Sequence, residues 1–104
     1  MKEVAIEFLD HQTIALVGEL SFSNVMALFD QLKVCLHANP NVYHINLKDL
    51  LVSDSSCLAC FVECVRFRKA LRFSYCSKSI IQMAALTGLS DCLKIHKNAP
   101  LEGC

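Results

Sequence analysis

The residues best suited to chemistry lie in one hexapeptide, residues 53–58, with the sequence Ser-Asp-Ser-Ser-Cys-Leu. It stands where an apolar, strand-like run ends and an apolar, helix-like run begins. The start of a helix leaves backbone N–H groups without intrahelical partners and carries the positive end of the helix dipole, so it can hold an anion, a phosphate or the acceptor groups of a partner. The alternative is structural: Asp54 or Ser55 only caps the helix, as Asp and Ser commonly do.

Three cysteines at helical spacing suggest a second kind of site. Cys57, Cys60 and Cys64 would share one face of a helix and could offer three thiolates to a metal ion. A structural zinc site needs a fourth ligand, however, and usually draws its ligands from turns. We therefore predict that the three thiols pack as small buried side chains, and we predict no metal and no cofactor.

The sequence contains no pattern typical of catalysis. Its four histidines are scattered without metal-ligand spacing. A hydrolase serine sits on a strained turn flanked by glycines, and residues 55–56 have no glycine beside them. With three glycines in all, the chain has no glycine-rich phosphate loop, so we do not expect it to bind ATP unaided. We predict that the protein is not an enzyme.

The amino-acid composition limits the kinds of partner that the protein is expected to bind. The 104 residues fit one domain, and a hydrophobic share of 54% against 19% charged residues leads us to expect some apolar surface that faces a partner. Ten Lys and Arg balance ten Asp and Glu, and a chain without net positive charge leads us to predict no nucleic-acid partner.

The same sequence predicts a cytoplasmic protein with reduced thiols. The first seven residues alternate charged and apolar side chains, unlike a secretory signal. Glu63, Arg66 and Arg68 interrupt the most apolar region, so we expect no direct insertion into a membrane. The seven cysteines are an odd number in a chain without an export signal, which argues against a disulfide scaffold.

Short strands and helices alternate along the chain. We predict strands at residues 4–9, 13–20, 42–47 and 71–76, with residues 10–12 as a hairpin turn and residues 48–53 as a connection. We predict helices from residue 25 to the Asn39-Pro40 pair, from about 55 to 67, and from a Ser77 cap to Thr87, where Gly88 ends the helix. This order predicts an α/β fold with helices packed on a sheet.

Three motifs in this order resemble the STAS domain family, whose fold is shared by anti-sigma-factor antagonists, sulfate transporter tails and a subunit of bacterial lipid-transport ABC systems. The first is Gly-Glu-Leu at residues 18–20, followed by the start of the first helix. The second, residues 54–58, is similar to the signature Asp-Ser-Ser-Gly-Leu. The third is Leu-Thr-Gly-Leu at residues 86–89. The resemblance implies a four- to five-stranded mixed sheet, a STAS domain at residues 1–95 and a C-terminal tail at residues 96–104.

The resemblance also implies roles for the signature residues. In antagonists that titrate an anti-sigma kinase, the second serine is phosphorylated, which makes Ser56 the implied phosphoacceptor. Cys57 replaces the glycine that normally follows, and Ala59 replaces a second small glycine. A Cβ and a sulfur at position 57 would narrow a partner's approach to the helix start. Both replacements weaken the case for a phosphorylation switch.

Residues 18–28, with Phe22 two residues after Leu20, look more like the cytoplasmic STAS subunit of the phospholipid ABC transporter that maintains outer-membrane lipid asymmetry. This likeness implies a binding module that docks on the ATPase subunit and is peripheral to the inner membrane through that partner. The implied partner-binding residues are Asp54, Ser55, Ser56 and Cys57. The alternatives are an antagonist that sequesters an anti-sigma kinase until Ser56 is phosphorylated, and a scaffold whose signature has degenerated.

Overall fold

The computed structural model describes residues 3–88, which form a five-stranded mixed sheet and three α-helices. Within this range no helix is both long and apolar enough to span a bilayer. The predicted boundary at residue 95 and the predicted tail at residues 96–104 lie outside the described residues.

The five strands are β1 (Ala5–Asp10), β2 (Thr13–Leu20), β3 (His44–Asn46), β4 (Leu50–Val52) and β5 (Arg72–Ser74). β1 and β2 form the predicted antiparallel hairpin. All other pairings are parallel: β3 pairs with the first residues of β2, β4 pairs with its last residues, and β5 pairs with β3. The mixed α/β sheet that the STAS resemblance implies is therefore confirmed.

β4 lies in the segment that the sequence predicts as a connection. A turn separates it from β3, in which the Leu50 N–H donates to the Leu47 carbonyl oxygen at 3.2 Å. The chain then rejoins the same side of β2, and Leu50–Val52 pairs with residues 18–20. Three residues are too few to show the alternation that identifies a strand in sequence. The pairing matters for function because it fixes where the hexapeptide begins.

Three helices cover the core side of the sheet: α1 (Val25–Ala38), α2 (Leu58–Phe67) and α3 (Lys78–Leu86). A short 3-10 helix, Ser55–Cys57, leads into α2, so the predicted second helix begins with a tighter turn than expected. The Ser77 hydroxyl caps α3 by accepting from the Ile80 N–H at 3.2 Å. Gly88 follows α3 with φ +73°, as the C-cap prediction requires.

The core joins the sheet to α1 and α2. The Phe61 ring on α2 packs against the Phe73 ring on β5, with centroids 5.2 Å apart. Alternate β2 residues and every fourth α1 residue supply the apolar layers between them. These fully buried residues are Ile14, Leu16, Leu20, Leu28, Leu32 and Leu36.

Arg68, just after α2, joins the ends of α1 and α2. Its guanidinium donates to three backbone carbonyl oxygens at the end of α1 and in the following turn. The acceptors are Leu36, Asn39 and Val42. The Leu36 and Asn39 oxygens each also accept one backbone N–H, so the guanidinium adds a charged donor at this helix end and holds α2 against α1.

Candidate partner-binding site

Residues 53–56, here called the polar lip, begin where β4 ends beside the end of β2. The Ser53 N–H donates to the Leu20 carbonyl oxygen at 3.0 Å, and the Ser53 hydroxyl donates to the same oxygen at 3.3 Å. These two bonds extend the pairing of β4 with β2 by one residue. The lip is therefore attached to the sheet at its first residue.

Asp54 organises the rest of the lip. Its Oδ1 atom accepts from the Ser56 N–H at 3.0 Å and from the Ser56 hydroxyl at 2.8 Å. Both bonds stabilise the carboxylate, and they lower the pKa of Asp54 below its ordinary value. Asp54 is thus ionised at neutral pH and caps the 3-10 helix, as the structural alternative predicts for this residue.

Ser55 differs from its neighbours in having an uncommitted side chain. Among residues 3–88, no side chain or backbone group forms a hydrogen bond with its hydroxyl. The side chain is exposed, as are those of Ser53 and Ser56, whereas Asp54 is half-buried. The Ser55 hydroxyl can therefore both donate to and accept from a partner.

Cys57 does not belong to this exposed surface. Its side chain is completely buried, although the STAS resemblance implied that it is a partner-binding residue. Burial first, and then the Asp54 charge, raises the pKa of the Cys57 thiol. Because the sulfur is in the core, it offers no exposed surface to a partner.

The other two cysteines of the series also lie in the core. Cys60 and Cys64 are buried on α2 with 7% and 0% exposure. A hydrogen bond between the two thiols, together with burial, raises the pKa of Cys60. Residues 3–88 contain no group of three or more side chains arranged to hold a metal ion. These thiols fill space in the core, which is the packing role predicted for them.

A groove of about 420 Å³ opens between α1 and α2 directly beside the lip. Its lining on the α1 side includes Phe22, Met26 and Phe29, and on the α2 side Ser56, Ala59 and Glu63. The groove was not predicted, because only the packing of α1 against α2 brings these two sets of residues together. The available signal was apolar residues at positions 22, 26 and 29, outside the buried stripe of α1.

A curated relative matches most of the chain, although no family model does. The intermembrane phospholipid transport system binding protein MlaB of Haemophilus influenzae is 35% identical over 89 residues, which cover 79% of this chain and 85% of the relative. The chain belongs to the MlaB family. The three motifs that indicated a STAS domain therefore led to the correct family.

Two solved structures share the fold of this MlaB family member. The anti-sigma factor antagonist SpoIIAA in its unphosphorylated form superposes with a TM-score of 0.68 at 17% identity, covering 98% of each chain. The phosphorylated form of SpoIIAA, described as a Bacillus cell fate determinant, gives a TM-score of 0.61 at 18% identity, covering 90% of this chain and 91% of that one. At this level of identity the likeness shows the fold alone, and the predicted STAS fold is confirmed.

Proposed function

We propose that the chain is a non-catalytic subunit of a phospholipid transport system and that its polar lip docks on the ATPase subunit of the transporter. Membership of the MlaB family supports the first part, because the Haemophilus influenzae relative is named for such a system. One observation carries the second part: the exposed Ser55 hydroxyl has no hydrogen-bond partner among the described residues, although the residues on either side of it, Asp54 and Ser56, are bonded to each other.

The lip is organised before any partner arrives. Ser53 is bonded to the end of β2, and Asp54 holds both the backbone and the hydroxyl of Ser56. A surface whose side chains are already ordered loses less conformational entropy on association. A partner that donates to the Asp54 carboxylate and bonds with Ser55 would therefore meet preset geometry.

Docking of this kind gives the subunit a way to affect transport without chemistry of its own. A bound subunit shifts an ATPase between conformations only by binding one of them more tightly than the other. The lip would then favour the ATPase conformation whose surface fits it. In this proposal the protein is cytoplasmic and reaches the inner membrane only through the ATPase.

Co-purification tests the proposal directly. The ATPase subunit of the same organism would be co-expressed with the tagged full chain, as wild type, Ser55→Lys and Asn41→Lys. Ser55→Lys puts a long cation in the lip and should abolish co-purification, whereas Asn41→Lys, an exposed site next to the start of β3 at the opposite end of the sheet, should leave it intact. Circular dichroism would verify that both variants fold. Equal recovery of the ATPase with Ser55→Lys would refute docking at the lip.

A second candidate is supported by the environment of Ser56. Its hydroxyl is exposed and donates to Asp54 at 2.8 Å, so a kinase would find it accessible and oriented. A phosphate there adds about −1.5 to −2 charges beside the Asp54 carboxylate, which would expel a partner by repulsion. Intact mass after incubation with cell extract separates the candidates, because only a kinase-controlled antagonist gains a stoichiometric phosphate. Neighbouring genes for an ABC ATPase and permease, rather than for an anti-sigma kinase, would favour transport.

A further inference from the structure

We draw no further inference here: the strongest candidate, the apolar groove of about 470 Å³ that Phe8 on β1 forms with Val34 and Ala38 on α1, carries no proposal because nothing in residues 3–88 shows what covers it.

Discussion

Gly18 provides the sharpest test of the backbone arrangement that leads to the lip. It is the first of the β2 residues that pair with β4, and its φ is +103°, a conformation that residues with a side chain rarely adopt. A Cβ atom at this position would overlap the Glu3 carbonyl oxygen and would lie 2.9 Å from the Val4 Cα atom. Both neighbours are backbone atoms, so no side-chain rotation can relieve the overlap.

Gly18→Ala should therefore lower the free energy of unfolding for two reasons. A non-glycine residue held in a sparsely populated backbone region costs about 1–3 kcal/mol. Forcing the Glu3 backbone away, and with it the Glu3–Glu19 bridge, adds about 1–3 kcal/mol, as overpacking usually does. The expected loss is about 2–6 kcal/mol, a large part of the about 5–15 kcal/mol by which a domain is stable.

Gly88→Ala is the matched control, because it makes the same chemical change at a second glycine with positive φ. At Gly88, φ is +73° and a Cβ atom would meet no atom of residues 3–88 within 4 Å, so we expect only the backbone preference of about 1–2 kcal/mol to be lost. Urea denaturation followed by circular dichroism would measure both free energies of unfolding. Equal losses for the two variants, or a loss below about 1 kcal/mol for Gly18→Ala, would refute the close approach of residue 3 to β2.

Three further predictions concern Arg68 and two buried cysteines. Arg68→Ala should lower the free energy of unfolding by about 2–4 kcal/mol, since three backbone acceptors lose a charged donor. Arg68→Lys should recover less than half of this loss, because a single ammonium group cannot replace the two donating nitrogens of the guanidinium. Full recovery with Arg68→Lys in urea denaturation would contradict this arrangement. Cys57→Gly should lower the free energy of unfolding by about 1–3 kcal/mol, because it leaves a cavity and adds backbone freedom in the unfolded chain. Titration with the ATPase should show an unchanged affinity. A gain in affinity would show that the sulfur obstructs the partner. Burial raises the pKa of the Cys76 thiol from 9.0 to about 11, so its stabilising contribution is complete below pH 9.0 and is lost as the pH rises through about 11. Maleimide labelling with peptide mapping at pH 8 should therefore modify Cys76 far faster in urea than in the native chain, and equal rates would be the contrary result.

Much of the fold follows from local sequence patterns. The β1–β2 hairpin consists of two β-like runs on either side of a turn, and α1 has a clear apolar stripe that ends before Pro40. The Ser77 cap and Gly88 mark both ends of α3. These elements carry their own start and stop signals, so no tertiary information was needed to place them within a residue or two.

The features that sequence could not provide depend on contacts between distant segments. β4 has three residues and becomes a strand only because β2 offers it a partner. Arg68 reaches the end of α1, whose acceptors precede it by 26 to 32 residues. The direction of the Cys57 side chain depends on the turn from the 3-10 helix into α2, which no residue type in the signature specifies.

The lip was predictable in location but not in detail. The Asp-Ser-Ser pattern placed polar groups at a helix start, and their exposure agrees with that prediction. The Asp54 carboxylate accepts both hydrogen bonds from Ser56, whereas the Ser55 hydroxyl has no hydrogen bond among the described residues. The Asp-Ser-Ser pattern does not tell these two serines apart. The groove then adds apolar area to a site that the sequence describes only as polar.

Hydrogen exchange of the full chain, with and without saturating ATPase subunit, tests docking at the lip most directly. Docking at the lip predicts that the amides of residues 53–60 exchange more slowly in the complex, while those of residues 41–46, around the start of β3 at the opposite end of the sheet, keep their rates. A complex that forms but leaves exchange at residues 53–60 unchanged would contradict it.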